Sequence, residues 1–195
     1  MFFSHILKPY LSYPCVYPKD YIIKNEGQRC EMIGIIIKGR IELHHYSETG
    51  DVSVLATLGS KEAFGDVLIM ADHPYHIGSL ITTTPCEIQY LSKEALLRLI
   101  EENADFRHWY LRHMANKAAS FNLYHKLLHQ PSMQAKVLYY LHMMQAQAKG
   151  GKVFIKSHEH LAQILNVQRP SLSRCLRTMK QEGLIDYQKR RYWLL

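Results

Sequence analysis

Between Ser157 and Arg177 the chain reads Ser-His-Glu-His-Leu-Ala-Gln-Ile-Leu-Asn-Val-Gln-Arg-Pro-Ser-Leu-Ser-Arg-Cys-Leu-Arg. Arginine is the side chain that reads guanine O6 and N7 with two parallel hydrogen bonds in the major groove. A helix beginning near Arg169 would turn Arg169, Ser171, Ser173, Arg174 and Arg177 outward. Such a helix reads bases with its N-terminal residues. Further on, Gln188-Lys189-Arg190-Arg191 gathers three cations in a short run, suited to phosphate contact.

The neighbouring residues supply what such a helix needs. Ser157 can cap a first helix, with Glu159 favourably placed at its positive end. Leu161, Ile164 and Leu165 form its inner face, Ala162 admits a close second helix, and Asn166 suits a left-handed turn. Pro170 is tolerated in the first turn of the next helix, where amides need no intrahelical acceptor. Leu172, Cys175, Leu176 and Met179 point inward, and Gly183 is a stop. Two short helices joined by a tight turn make a helix-turn-helix. Leu184-Ile185 and Tyr192-Trp193-Leu194 can pair around the basic run as a wing. A helical hairpin with a merely solvated basic face would not account for Arg169, Pro170, Arg174 and the basic hairpin together.

Charge supports this placement. The chain has 195 residues and a net charge of +7, yet residues 131–195 hold 11 Lys/Arg against three acids, whereas residues 1–130 hold 13 against 14. The excess positive charge sits at one end, which points to a polyanionic partner there. Hydrophobic content of 47% and charged content of 21% are those of a globular chain. No apolar run approaches the ~20 residues needed to span a bilayer. The start, Met1-Phe2-Phe3-Ser4-His5, has no basic stretch before a long apolar core and does not read as a signal peptide. Four scattered cysteines without a CxxC pair suit a reduced, cytoplasmic protein.

The first ~95 residues read as short strands separated by turns, at Tyr21–Ile23, Ile33–Ile37, Arg40–His44, Val52–Leu55, Ser79–Thr83 and Glu87–Leu91. This predicts a β-sandwich or barrel. Ser92 then reads as an N-cap with Glu94 in the first turn. From Asn103 to His129 nothing breaks a helix. Leu111, Met114, Ala118, Phe121, His125 and Leu128 recur at alternating spacings of three and four, a heptad seam about 26 Å long. A helix buried in its own chain would show the same seam, but Trp109, Tyr110, Leu123 and Tyr124 widen the apolar surface enough for two partners. Ser132 to Ala148 is a further amphipathic helix, and Val153–Ile155 a short strand. The domains expected are residues 1–102, 103–130 and 131–195.

With both halves in view, the sequence resembles the Crp/Fnr family of bacterial regulators over nearly its whole length. Tyr21-Ile-Ile-Lys-Asn-Glu-Gly27 through Ile35-Ile36-Ile37-Lys38-Gly39-Arg40-Ile41 is similar to the first strands of the cyclic-nucleotide-binding jelly roll. Phe64-Gly65-Asp66 looks like its Phe-Gly-Glu element. Gln168-Arg169-Pro170-Ser171-Leu172-Ser173-Arg174 looks like the family's recognition helix, the most specific match. The resemblance implies an α+β chain: an N-terminal double-stranded β-helix (jelly roll) sensing an effector, a long dimerisation helix and a C-terminal winged helix-turn-helix. It implies a homodimer on a two-fold-symmetric double-stranded DNA operator, with RNA polymerase a candidate partner and no membrane role. Arg169 and Arg174 match base readers, with Ser171 and Ser173 beside them. Ser157, His158, Gln168 and Arg177 would serve the backbone together with Lys189, Arg190 and Arg191.

Two departures bear on the effector, whose pocket would involve Phe64, Gly65, Asp66, His76 and Ile77. Members that bind cyclic AMP hold the cyclic phosphate with an Arg-Ser pair, and the corresponding positions here are His76 and Ile77. Asp66 is also shorter than the family's glutamate. A cyclic phosphate would lack its bidentate partner, so an effector other than cyclic AMP is expected. Pro170 replaces an acidic base-reading residue of many members, so operator preference should differ at one base pair. The helix that usually precedes the roll is largely missing.

Other chemistries fit less well. His44-His45, with Glu48 close behind, invites comparison with cupin enzymes, but adjacent strand residues face opposite sides and cannot share a metal inside a barrel. His73 and His76 read as solvated loop residues, with a metal or haem role as the alternative. Cys15 and Cys30 could form a redox switch, although free cysteines usually pack as small apolar groups. No phosphate-binding glycine loop, nucleophile elbow or carboxylate pair is present, so neither an enzyme nor a cofactor is expected. The rival reading from another class is a small-molecule or redox sensor whose winged helix makes protein contacts.

Overall fold

The central strand of the N-terminal half shows how the fold is specified. Met32–Lys38 (β3) is buried from Ile33 through Ile36 on both faces. Ile33 and Ile35 join a cluster with Leu96, Leu99, Phe106 and Tyr110 from the following helices. Ile36 joins Ile41, Phe64, Leu80, Cys86 and Ile88 inside the sandwich. Gly34 lies under the Phe64 ring, and a Cβ there would come within 2.0 Å of it. A strand covered on both sides loses the usual alternation, hence the near-continuous isoleucine run.

In this computed structural model, which describes residues 4–47, 49–146 and 148–195, the other strands of the roll are Cys15–Tyr17 (β1), Ile22–Lys24 (β2), Arg40–Tyr46 (β4), Val52–Gly59 (β5), Ala63–Phe64 (β6), Ser79–Thr82 (β7) and Cys86–Ser92 (β8). They form two antiparallel four-stranded sheets, ordered β1-β8-β3-β6 and β2-β7-β4-β5. The expected strands are all present within a few residues of the positions read from sequence, together with the short β1 and β6 that were not expected. Met1, Phe2, Phe3 and Glu48 lie outside the described residues. Ser4–Leu7 (α1) is a single short turn ahead of the roll.

Ser92 accepts a hydrogen bond from the Ala95 amide and opens Lys93–Glu102 (α2). Asn103 Oδ1 accepts from the Phe106 amide at 2.9 Å and opens Ala104–Leu128 (α3). Both are side-chain caps on otherwise orphaned amides. Ser132 caps Met133–Gln145 (α4) in the same way. Beyond it come Val153–Phe154 (β9), His158–Leu165 (α5), Arg169–Gln181 (α6), Ile185–Gln188 (β10) and Arg191–Leu194 (β11), with sheet order β10-β11-β9. Val137, Leu141, Leu161, Leu165, Leu172, Leu176, Ile185 and Tyr192 share one buried cluster. The chain divides into two compact units, Met1–Met114 and Ala115–Leu195, so the boundary falls inside α3. Among the described residues no helix is long and apolar enough to cross a membrane.

Candidate functional site

The second unit builds a surface for a polyanion from the inside out. Ser157 Oγ accepts from the His160 amide at 3.0 Å and starts α5. Asn166 ends it in the left-handed region at φ 51°, ψ 57°, and the Val167 amide returns to the Ala162 carbonyl at 3.0 Å. That closes the turn in three residues and launches α6 with Pro170 in its first turn. Leu172, Leu176 and Met179 are buried, which forces the opposite face of the same helix outward.

That outward face carries Arg169, Arg174 and Arg177, all exposed, with Gln168 and Pro170 exposed beside them and Ser171 half-buried. Arg174 donates to Ser171 Oγ over 3.4 Å, a long bond easily exchanged for another acceptor. Arg169 lies 3.6 Å from Glu159, both about two-thirds exposed, a pair worth less than ~1 kcal/mol. Neither arginine is held strongly within the chain. Lys180, by contrast, is held by Asp186 at 2.5 Å and by the Tyr187 carbonyl at 3.2 Å. Its hydrogen bond to Asp186 holds that carboxyl below the usual range.

The wing is the β10–β11 hairpin, in which Gln188 pairs with Arg191 and Lys189-Arg190 make the turn. Lys189 adopts φ +57°, a left-handed conformation more often given to Gly or Asn. Lys189, Arg190 and Arg191 are all exposed, around the exposed Phe154 ring of β9. The exposure of Phe154 is not legible in the sequence, because a lone aromatic in a two-residue strand carries no periodic signal.

Two residues expected to meet DNA are also bonded within the protein. His158 Nε2 lies 2.7 Å from the Tyr192 hydroxyl, and its Nδ1 lies 3.2 Å from Ser173 Oγ. Both His158 and Ser173 are half-buried. Tyr192 is 34 residues from His158 along the chain, too far for local spacing to reveal the pairing.

The five residues of the expected effector pocket take different surroundings. Phe64 fills the sandwich core, edge-on to Tyr90 with ring centroids 6.3 Å apart. Gly65 turns the chain at φ +78°. Asp66 is 5% exposed. Its carboxylate lies 2.7 Å from His113 Nε2 on α3, and its carbonyl accepts from the Tyr110 hydroxyl at 3.0 Å. Trp109 stacks on His113 at 5.2 Å. Ile77 is 64% exposed. His76 corrects the expectation of a solvated loop: it is 4% exposed, because its backbone bridges Gln28 and Gly27 and draws the segment against the roll. Burial, reinforced by the Lys24 charge, lowers its pKa below the ordinary 6.5.

Of the remaining candidate residues, His44 and His45 form local pairs. His73 is exposed. His44 pairs with Glu42 at 2.9 Å and His45 with Glu26 at 3.0 Å. Cys15 and Cys30 are both unbridged, and burial raises the Cys30 thiol, leaving less thiolate for redox chemistry. Among the described residues no three His, Cys, Asp or Glu side chains come together as metal ligands.

A family model of the cyclic nucleotide-binding domain matches residues 14–103, and one of the Crp-like helix-turn-helix domain matches residues 135–195. The chain belongs to the Crp/Fnr family. Its relatives include the cyclic AMP receptor protein of Thermus thermophilus, 25% identical over 87% of this chain and 78% of that protein. The CRP-like cAMP-activated global transcriptional regulator of Mycobacterium tuberculosis is 22% identical over 88% of this chain and 79% of that protein. Among solved structures, CprK in complex with OCPA shares the fold at a TM-score of 0.73 and 16% identity, covering 97% of this chain and 90% of that one. The Thermus thermophilus catabolite activator protein does so at 0.57 and 22%, covering 98% and 88%. The protein is therefore a transcription regulator of Crp/Fnr type, with a cyclic-nucleotide-binding-like domain and a DNA-binding helix-turn-helix.

His76 has a measurable consequence. Its folded-state pKa lies below the unfolded value, so the unfolded chain takes up the proton first. Its stabilising contribution is complete above about pH 6.5 and is lost as pH falls through the folded value. His76→Leu should flatten the dependence of the urea midpoint on pH below about 6.5. A wild-type and a variant curve that run parallel there would show that His76 does not titrate on unfolding.

Proposed function

We propose that the protein acts as a homodimer that reads a two-fold-symmetric DNA operator with one α6 in each major-groove half-site. The observation that carries this reading is the division of α6 into a buried leucine face and an exposed arginine face. Arg169 and Arg174 read bases, with Ser171 alongside. Ser157, Gln168 and Arg177 contact the backbone around them, and Lys189, Arg190 and Arg191 grip phosphates from the wing. The first two-thirds of the chain is nearly neutral, so a polyanion has its attractive surface at this end.

The dimer reading rests on α3. Phe106 and Tyr110 are buried against the roll and Leu127 in the C-terminal cluster, yet Leu111 is 61% and Phe121 64% exposed. Leu123, Tyr124, Ala118 and His125 are exposed with them, and Leu128 is half-buried. Met114 is half-buried against the roll cluster and leaves only part of its surface to a partner. Large apolar side chains in a row at heptad spacing match a second copy of the same helix.

The effector is a small molecule other than cyclic AMP. A cyclic phosphate is best held by a guanidinium fork. His76 is buried with its neutral form favoured, Ile77 brings no charge, and Asp66 is already engaged by His113.

Three measurements test these assignments. Binding to duplex DNA should weaken steeply with salt, and Arg174→Ala should cost ~1–3 kcal/mol on the operator while relaxing discrimination at one base pair. Equal loss on random duplex would reduce Arg174 to a phosphate contact. Phe121→Asp should give monomers in sedimentation, because it buries an unpaired charge in the seam; an intact dimer would remove this helix from the interface. Saturating cyclic AMP should leave the melting temperature unchanged. A clear rise would restore cyclic AMP as the ligand.

A further inference from the structure

We infer that His158, Ser173 and Tyr192 form an internal hydrogen-bonded clasp that fixes the recognition helix relative to the wing, so that His158 and Ser173 serve operator reading as positioning residues rather than as separate DNA contacts. The inference rests on the DNA-reading role of α6 and assigns its alignment to three named side chains.

The three residues come from three elements: His158 opens α5, Ser173 lies on α6 and Tyr192 lies on β11. His158 reaches both of the others at once, at 2.7 Å to the Tyr192 hydroxyl and 3.2 Å to Ser173 Oγ. Tyr192 is 2% exposed, its ring stacked on Tyr187 at 4.9 Å and edge-on to His158 at 6.3 Å. A buried phenol needs a partner for its hydroxyl, and His158 supplies one. Each ring nitrogen faces one hydroxyl, and a hydroxyl can donate or accept, so both nitrogens find a partner in either tautomer. Burial raises the Tyr192 pKa and keeps it a phenol.

The clasp sits where alignment has most effect. Ser173 is the middle member of the row Arg169, Ser173, Arg177, spaced four apart along α6. Tyr192 is the neighbour of Arg191, which pairs with Gln188 at the base of the basic turn. Tying Ser173 to Tyr192 through one rigid ring therefore fixes α6, and with it the base readers Arg169 and Arg174, against the phosphate-gripping hairpin. The apolar cluster beneath α6 holds the helix down but is not directional. Hydrogen bonds of defined angle supply the missing constraint on sliding and rotation.

The test uses the full-length dimer, an operator selected by the wild-type protein from a pool of random duplexes, and a scrambled duplex of equal length. Tyr192→Phe removes one hydroxyl that cannot reach DNA. It should lower the operator-to-scrambled preference about 3–10-fold while leaving the salt slope and the affinity for scrambled DNA as in the wild type. His158→Ala should do the same, and the double variant should lose little more than either single one. Ser173→Ala, which favours the helix by propensity, repeats the measurement if Tyr192→Phe proves unstable. The clasp is overturned if Tyr192→Phe and Ser173→Ala keep the full preference. It is equally overturned if His158→Ala weakens both duplexes alike, since His158 is then a backbone contact in its own right. If the wild type selects no sequence at all, the DNA reading itself fails, a result separate from either variant outcome.

Discussion

The structure of the C-terminal half depends on the burial of Leu161, Leu165, Leu172 and Leu176 between α5 and α6. An arginine-bearing helix is a poor candidate for stability by its surface alone, because Arg169, Arg174 and Arg177 repel one another. The surface pair of Arg169 with Glu159 offsets less than ~1 kcal/mol of that. Each fully buried leucine contributes ~2 kcal/mol in the opposite direction. The helix is therefore held by its apolar side, and its charged side is left to a partner. The same cluster takes in Val137 and Leu141 of α4 and Ile185 and Tyr192 of the wing, so one core sets the places of helix and hairpin together.

The long helix α3 works under a related constraint in the N-terminal half. Its first turns bury Phe106 and Tyr110 under the roll, and Asp66 adds a polar hold through His113. A carboxylate that is 5% exposed is costly unless it is paired and hydrogen-bonded. Asp66 is thus committed to the helix. The segment that turns at Gly65 begins with an anchor on α3, which gives the roll a fixed grip on the element that carries the exposed seam.

Much of this could be read in the sequence, because the signals were local. Ser92, Ser132 and Ser157 cap helices within three residues of themselves, Asn166 and Gly183 sit where the chain must turn left-handed, and α6 declares its buried face through Leu172, Leu176 and Met179. What local signals do not encode is the non-local pairing. Asp66 meets His113 across 47 residues, and His158 meets Tyr192 across 34. No periodicity encodes such pairs; only the completed fold brings them together. The burial of His76 is non-local in the same way. A proline-flanked, histidine-rich loop looks solvated until backbone bonds to Gln28 and Gly27 draw it against the roll. Val153–Phe154 offers too short a run to say which of its side chains would stay outside.

The charge distribution divides the chain into two unlike parts. Residues 1–130 are close to neutral and residues 131–195 carry the positive excess. The helix α3 contributes residues to both compact units. In the proposed dimer the quantity to be controlled is the spacing and tilt of two α6 helices over half-sites one DNA turn apart. Asp66 and Tyr110 make their contacts within the N-terminal unit, and none of the proposed DNA-reading residues lies there. For two half-sites to be read in register, each α6 must in turn be fixed within its own domain. The leucine core supplies that fixity against lifting, and directional hydrogen bonds are what can supply it against rotation.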